Sequence, residues 1–219
     1  MGYPGDLNMR LARDFCVLAV FMIFSQAASA APVTILSQQS FWDYNVTATD
    51  YGNGGLAGVN YAGFLAEYTG ALNGQAGFGN TAPPPGGATN TTWNVNDDLA
   101  LQTTATLLGD VIGNVTLNLA VDNGAKVFIN GVDVFFADAG GYTNIWEYTA
   151  SISGGLFNVG LNTISVMVSD YGGLTFFDME LVAEEGIRTP NAVPVPAAMW
   201  LFGSALVGLM GFGRRRKAT

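Results

Sequence analysis

Residues 114–136 read Asn-Val-Thr-Leu-Asn-Leu-Ala-Val-Asp-Asn-Gly-Ala-Lys-Val-Phe-Ile-Asn-Gly-Val-Asp-Val-Phe-Phe. Val115, Leu117, Leu119 and Val121 recur at every second position, the pattern of a strand with one buried face. Asp122-Asn123-Gly124 then reads as a tight turn into a strand at 125–129. Asn130-Gly131 reads as a second turn, into a strand at 132–136. An Asn-Gly pair between apolar runs marks a hairpin, because a type I′ turn needs positive φ at both central residues.

The same grammar extends outward from this stretch. Upstream, Leu99, Leu101, Thr103, Ala105 and Leu107 alternate along 99–107, and shorter strand-like pieces lie at 33–36 and 41–46. Downstream, strands fit 145–152, 162–168 and 175–182, separated by Ser153-Gly154-Gly155, by Val159-Gly160-Leu161-Asn162 and by Asp170-Tyr171-Gly172-Gly173. Asp50-Tyr51-Gly52-Asn53-Gly54-Gly55 is turn chemistry. Residues 74–92, centred on Pro83-Pro84-Pro85-Gly86-Gly87, predict a long exposed loop. Short strands repeated at this spacing predict an all-β chain, an antiparallel β-sandwich over 31–186, followed by a linker at 187–192.

Within that span, Ala120 to Gly131, the aromatic stretch Trp146-Glu147-Tyr148, Gly160-Leu161-Asn162-Thr163-Ile164-Ser165-Val166 and Phe176-Phe177-Asp178-Met179-Glu180-Leu181 resemble the galactose-binding-like jelly-roll domains. The resemblance implies a fold and leaves the function open, since such scaffolds serve as lectins, enzyme appendages and structural modules alike.

Charge and composition narrow the chemistry. Between Ala31 and Ala192 fifteen Asp and Glu residues face two cations, Lys126 and Arg188, a net charge of −13. A phosphate backbone requires a basic surface, so nucleic acid is excluded as a partner. The acidity reads either as a solvated extracellular surface or as a Ca²⁺-binding one. The chain has no histidine, and its one cysteine is Cys16. No Ser/His/Asp or Cys/His nucleophile and no His or Cys metal site can therefore form in the region after it. Asp97, Asp98, Asp122, Asp170 and Asp178 could supply a glycosidase pair, but carboxylates in turns mostly accept backbone hydrogen bonds. The expectation is a chain that is not an enzyme and needs no cofactor.

Glycan binding is the sharper alternative to a structural or adhesive role. Sugars stack on aromatic faces and are fixed by carboxylate and amide hydrogen bonds. The expected loops carry Trp42, Tyr51, Trp93, Tyr142 and Tyr171 near Asp43, Asp50, Asp97, Asn144 and Asp170. Trp93, Tyr142, Asp97 and Asn144 are the candidate contacts, set against the ordinary fate of an aromatic, which is burial in the core.

Both termini carry targeting signals. Arg10 and Arg13, the apolar run 15–24 and Ala28-Ser29-Ala30 before Ala31 form a secretory signal peptide over 1–30, with cleavage expected after Ala30. Arg13-Asp14-Phe15 before Cys16 is not a lipobox, so no lipid anchor of that kind is expected. At the other end, 197–213 is a run of seventeen uncharged residues, long enough for a transmembrane helix of roughly 26 Å. Pro194 and Pro196 precede it, and Arg214, Arg215, Arg216 and Lys217 follow, which favours a cytoplasmic C-terminus.

Val193-Pro194-Val195-Pro196-Ala197, the helix with Trp200-Leu201-Phe202-Gly203-Ser204, and the basic cluster together resemble the PEP-CTERM sorting signal of exopolysaccharide-producing Gram-negative bacteria. Val195 stands where the eponymous motif has Glu. The resemblance implies a 193–219 tail processed in the inner membrane by an exosortase, a cysteine-type membrane transpeptidase. It further implies an ectodomain passed to the cell surface or the extracellular matrix, where exopolysaccharide is a partner to consider.

Overall fold

The computed structural model describes residues 31–80, 83–138, 144–188 and 202–205. The expected signal peptide with Ala28 and Ala30, the sorting residues 193–197 and the basic cluster 214–217 lie outside them. So does the expected helix 197–213, apart from a helical turn at 202–205. Among the described residues no helix is long and apolar enough to cross a membrane.

In chain order the strands are β1 (Val33–Leu36), β2 (Phe41–Val46), β3 (Leu72–Gln75), β4 (Phe78–Gly79), β5 (Thr91–Thr92), β6 (Leu99–Leu107) and β7 (Asp110–Val111). They continue with β8 (Asn114–Asp122), β9 (Gly124–Ile129), β10 (Val132–Asp138), β11 (Tyr148–Ser153), β12 (Gly160–Ser169), β13 (Phe176–Ala183) and β14 (Ile187–Arg188). A helix, α1 (Tyr61–Glu67), lies between β2 and β3. One sheet runs β11-β8-β13-β4-β5 with β1 also on β13, and the other runs β10-β9-β12-β6-β2-β3. Within both, the neighbours are antiparallel except β4 and β5.

The alternating residues of the two sheets share one core. Val115, Leu117, Leu119 and Val121 of β8 and Phe177, Met179 and Leu181 of β13 cluster with Leu99 and Leu101 of β6, Val127 and Ile129 of β9, and Ile164, Val166 and Val168 of β12. Trp42 of one sheet meets Phe177 of the other edge-on, with ring centroids 5.7 Å apart. Each such side chain gives about 1.5–3 kcal/mol on full burial, which makes this interface the main driving force for the fold.

A second cluster covers part of the outer face of the β6 sheet. Ala100, Phe128 and Met167 pack under Leu56 and under Phe64 of α1. Every residue of β9 is buried, on both faces: the cover takes Phe128, Asp133 and Phe136 flank Lys126, and Ser169 and Asp138 close on Gly124. Asn60 starts α1 by accepting the Gly63 N–H at 2.9 Å. The surrounding glycines read as turns, and the helix is not part of the sequence expectation.

Four expectations are corrected by the structure. Asp122-Asn123-Gly124 is not a hairpin turn: β8 pairs with β11 and β13, while β9 pairs with β10 and β12, so the chain crosses between sheets there. Asn130-Gly131, by contrast, does close a hairpin, with φ of 50° and 82° and Ile129 opposite Val132. Second, the exposed loop expected over 74–92 is partly interior. It contains β4 and β5, buries Gly74, Ala76, Phe78 and Pro84, and sends the Asn90 amide to the Ala76 carbonyl at 2.6 Å. Third, Ile187 and Arg188, expected to begin a linker, pair with Val111 and Asp110. Fourth, β11 starts at Tyr148 rather than 145, because Asn144 closes a turn by accepting the Trp146 N–H at 3.1 Å.

The registers define two ends. Leu99 lies opposite Val168 and Asp122 opposite Phe176 at one end, joined by the connections 122–124 and 169–176. At the other end Leu107 lies opposite Gly160, Val115 opposite Ala183 and Val33 opposite Ala183. β14 pairs with β7 at this second end, so the described sandwich is left at Arg188 there. The ten residues of β12 separate the two ends by roughly 33 Å.

Candidate functional site

The end away from Arg188 gathers polar side chains from distant parts of the chain. Asp98, just before β6, is 3% exposed. Its Oδ2 accepts the Tyr51 N–H at 2.6 Å and its Oδ1 accepts the Asp170 N–H at 2.9 Å. Burial pushes its carboxyl up to about 6, against the pull of those two amides.

Asp170, just after β12, is 1% exposed, and its Oδ2 accepts the Asn96 N–H at 2.5 Å. Burial raises its pKa as well, and the amides of Asn96 and Gly172 act in the opposite sense. Among the described residues its buried Oδ1 has no hydrogen-bond partner.

The crossover between the sheets adds the second half of the site. Asn123 donates its N–H to the Ser169 carbonyl at 3.0 Å, and its Oδ1 accepts the Tyr171 N–H at 3.0 Å. The Tyr171 hydroxyl donates to Asp138 Oδ1 at 3.1 Å. Burial, and next this bond to a carboxylate, push the phenol up to about 12. Gly124 is required here: a Cβ on it would come within 2.7 Å of Ser169 Oγ and 3.2 Å of Asp138 Oδ1. Ser169 Oγ and Glu147 Oε2 are buried without a hydrogen-bond partner among the described residues. Glu147 titrates above the ordinary range because of burial first and Asp122 second.

Chemically, Asp98 gives both carboxylate oxygens and Asp170 gives Oδ2 to main-chain amides, which hold loops in place; this is not the arrangement of an acid–base pair facing a sugar. Around them stand further hydrogen-bond acceptors: Asp50, Asn96, Asp97 and Asp138. Among the described residues no three Asp or Glu side chains converge on a point that could hold a metal ion.

The four residues expected to contact a glycan fare differently. Trp93 is 1% exposed, with Nε1 donating to the Asp97 carbonyl at 2.6 Å and its own carbonyl accepting from Thr175 Oγ1 at 2.6 Å. Its ring is in the core and has no free face for a sugar, which corrects the expectation. Asp97 stays at this end, where its carboxylate accepts from Asn94 Nδ2 at 3.0 Å. Asn144 is exposed and folds back on Trp146. Tyr142 lies outside the described residues. Trp42, another aromatic considered for stacking, is fully buried. Sequence reasoning did not single out Asn123, Asp138 or Ser169; the glycine after Asp122-Asn123, where two side chains close in, was the available signal.

Comparison with known proteins adds one assignment. Residues 192–217 match the family model of the PEP-CTERM protein-sorting motif, so the chain carries that sorting motif at its C-terminus. No curated protein matches the chain. Among solved structures, it is similar to a PA14 sugar-binding domain from an RTX adhesin, at 17% identity and a TM-score of 0.39, covering 66% of this chain and 89% of that one. It is also similar to the PA14 domain of the MpAFP antifreeze protein, at 16% identity and a TM-score of 0.38, covering 74% and 89%. A third is CBM35 from Paenibacillus barcinonensis, at 15% identity and a TM-score of 0.30, covering 69% and 98%.

Proposed function

We propose that this is an exported, non-catalytic protein of a Gram-negative cell envelope. Its tail is handed to an exosortase-like membrane transpeptidase, and its β-sandwich then serves at the cell surface or in the matrix as an adhesive module that binds exopolysaccharide. The observation that carries the reading is the sorting motif at 192–217. It follows a sandwich left at Arg188, at the end opposite the polar loops. A tether there directs the loop end away from the membrane.

Export begins at the signal peptide expected over 1–30, and the run 197–213 holds the precursor in the inner membrane with Arg214, Arg215, Arg216 and Lys217 inside. Carbohydrate binding at the loop end is supported by its chemistry. Carboxylate, amide and phenol groups from five loops offer many acceptors and few cations, which suits the hydroxyls of a sugar better than an anionic partner. Asp97 and Asn144 remain candidate contacts.

Replacing Arg214, Arg215, Arg216 and Lys217 by neutral residues tests the sorting step. Cell fractionation should then find the protein retained as an unprocessed or misoriented precursor. Normal release of that variant would contradict the assignment.

A further inference from the structure

We propose a second carbohydrate-binding surface, on the outer face of the β6 sheet, built to take a neutral glycan chain. It rests on the carbohydrate-binding reading above but puts the contact on a different surface from the loop end.

The register places four polar residues in a row across four strands. Asn73 of β3 lies opposite Asp43 of β2, Asp43 opposite Gln102 of β6, and Gln102 opposite Ser165 of β12. Neighbours along the row are already hydrogen-bonded in pairs, Asn73 Nδ2 to Asp43 Oδ1 at 3.0 Å and Gln102 Nε2 to Ser165 Oγ at 3.0 Å. Ser165 is 1% exposed and anchors the Gln102 amide from below, so the accessible part of the row is Asn73, Asp43 and Gln102, two inter-strand steps or roughly 10 Å, enough for a sugar ring. Beside it lies a cleft of about 230 Å³ lined by Phe41, Asp43, Asn73, Gln102, Thr103 and Thr104.

Phe41 gives this cleft its character. It is 62% exposed, although its strand neighbour Trp42 is fully buried. Its backbone is fixed by Thr103 Oγ1, which donates to the Phe41 carbonyl at 2.9 Å. An exposed aromatic face held beside carboxamides, a carboxylate and hydroxyls is what an amphipathic pyranose ring requires: a C–H face to stack and hydroxyls to bond. α1 and Leu56 cover the Ala100, Phe128 and Met167 part of the same sheet face, which leaves this part open.

Charge selects among glycans. The cleft contains Asp43 and no cation. Among the described residues the cations are Lys126, which pairs with Asp133 at 2.6 Å, and Arg188, which lies opposite Asp110 in the β7–β14 pair; neither lines the cleft. A uronate or sulfated polymer would meet uncompensated repulsion there; a neutral one would not.

The test uses the purified full-length protein in affinity electrophoresis against dextran and a neutral β-galactan, with polygalacturonate as the anionic control. The variants are Phe41→Ala, Asn73→Ala and Phe41→Trp, with Asp138→Asn and Tyr171→Phe at the loop end. Phe41 and Asn73 are exposed, so their variants should melt like the parent. Phe41→Ala is expected to weaken binding to a neutral polymer about tenfold, from the loss of a partly buried aromatic face, and Phe41→Trp to restore it. Unchanged affinity in Phe41→Ala and Asn73→Ala, with loss in the loop-end variants, would overturn the cleft and leave the carbohydrate reading standing. Stronger retention by polygalacturonate than by the neutral polymers would overturn the selectivity argued here. Absence of binding to every polymer by the parent protein would remove both the cleft and the reading it rests on.

Discussion

Asp98 Oδ1 accepts the main-chain N–H of Asp170 at 2.9 Å, across 72 residues of sequence. A buried carboxylate therefore fastens the start of β6 to the end of β12 at the loop end, and it is held there at an electrostatic cost. Asp178 is a second buried carboxylate, within β13 of the other sheet and opposite Ala120. It is fully buried, with Oδ1 accepting the N–H groups of Gln39 at 3.0 Å and Met179 at 2.8 Å, while Oδ2 has no partner among the described residues.

These two groups set a pH dependence. Burial pushes both carboxyls from the ordinary 3.8 up to about 6, with the amide hydrogen bonds opposing. Between those values the folded state holds protons that the unfolded state has lost, so stability falls as pH rises through that window. The melting temperature should be higher at pH 5 than at pH 7.5. Asp178→Asn should narrow the difference, since it removes one of the two titrations. Glu67, held below its ordinary value chiefly by Thr49, acts in the opposite sense, and its contribution is lost only as pH falls below 4.5. A melting temperature that drops from pH 7.5 to 5 would contradict the assignment.

Gly77 tests how residues 74–92 thread through the fold. Its φ is 90°, and a Cβ would lie 2.1 Å from the Ala88 carbonyl oxygen. Gly77→Ala should cost about 2–4 kcal/mol, through positive-φ strain and displacement of the 88–91 backbone. The midpoint of urea denaturation reports it. A midpoint equal to the parent's would mean that this segment is the free loop its composition suggests.

Trp93 separates a structural role from a binding one. Because the ring is buried and both its indole N–H and its main-chain carbonyl are engaged, Trp93→Ala should lower stability by about 3–5 kcal/mol. At a temperature where the variant remains folded, its affinity for polysaccharide should match the parent's. Loss of affinity without loss of stability would return Trp93 to the binding surface.

The strands were legible where one rule governs them. Alternation along 99–107 and 115–121 reports a buried face whatever lies opposite, and Asn130-Gly131 closes a hairpin by φ alone. Asp122-Asn123-Gly124 was not, because turn residues are the same whether the chain returns within its sheet or crosses to the next. α1 lies in a segment whose glycines hide the placement of Phe64 on Phe128. The sites were less legible still. Trp93 and Phe41 are both aromatics beside polar residues, and burial alone separates them. The row from Asn73 to Ser165 exists only through strand register, and the tie from Asp98 to Asp170 only through the packing of the loop end. The tail could be read from sequence because its signal is contiguous.

Central to this account is that the chain is exported and then separated from its sorting tail. The intact mass of the protein from its native host, measured in membrane, surface and culture fractions, tests this most directly. The account predicts a mature chain that begins at Ala31 and has lost roughly the last two dozen residues, cut near 193–197, in the surface or culture fraction. A full-length C-terminus confined to the inner membrane would contradict it, and would leave a membrane-held periplasmic sandwich in its place.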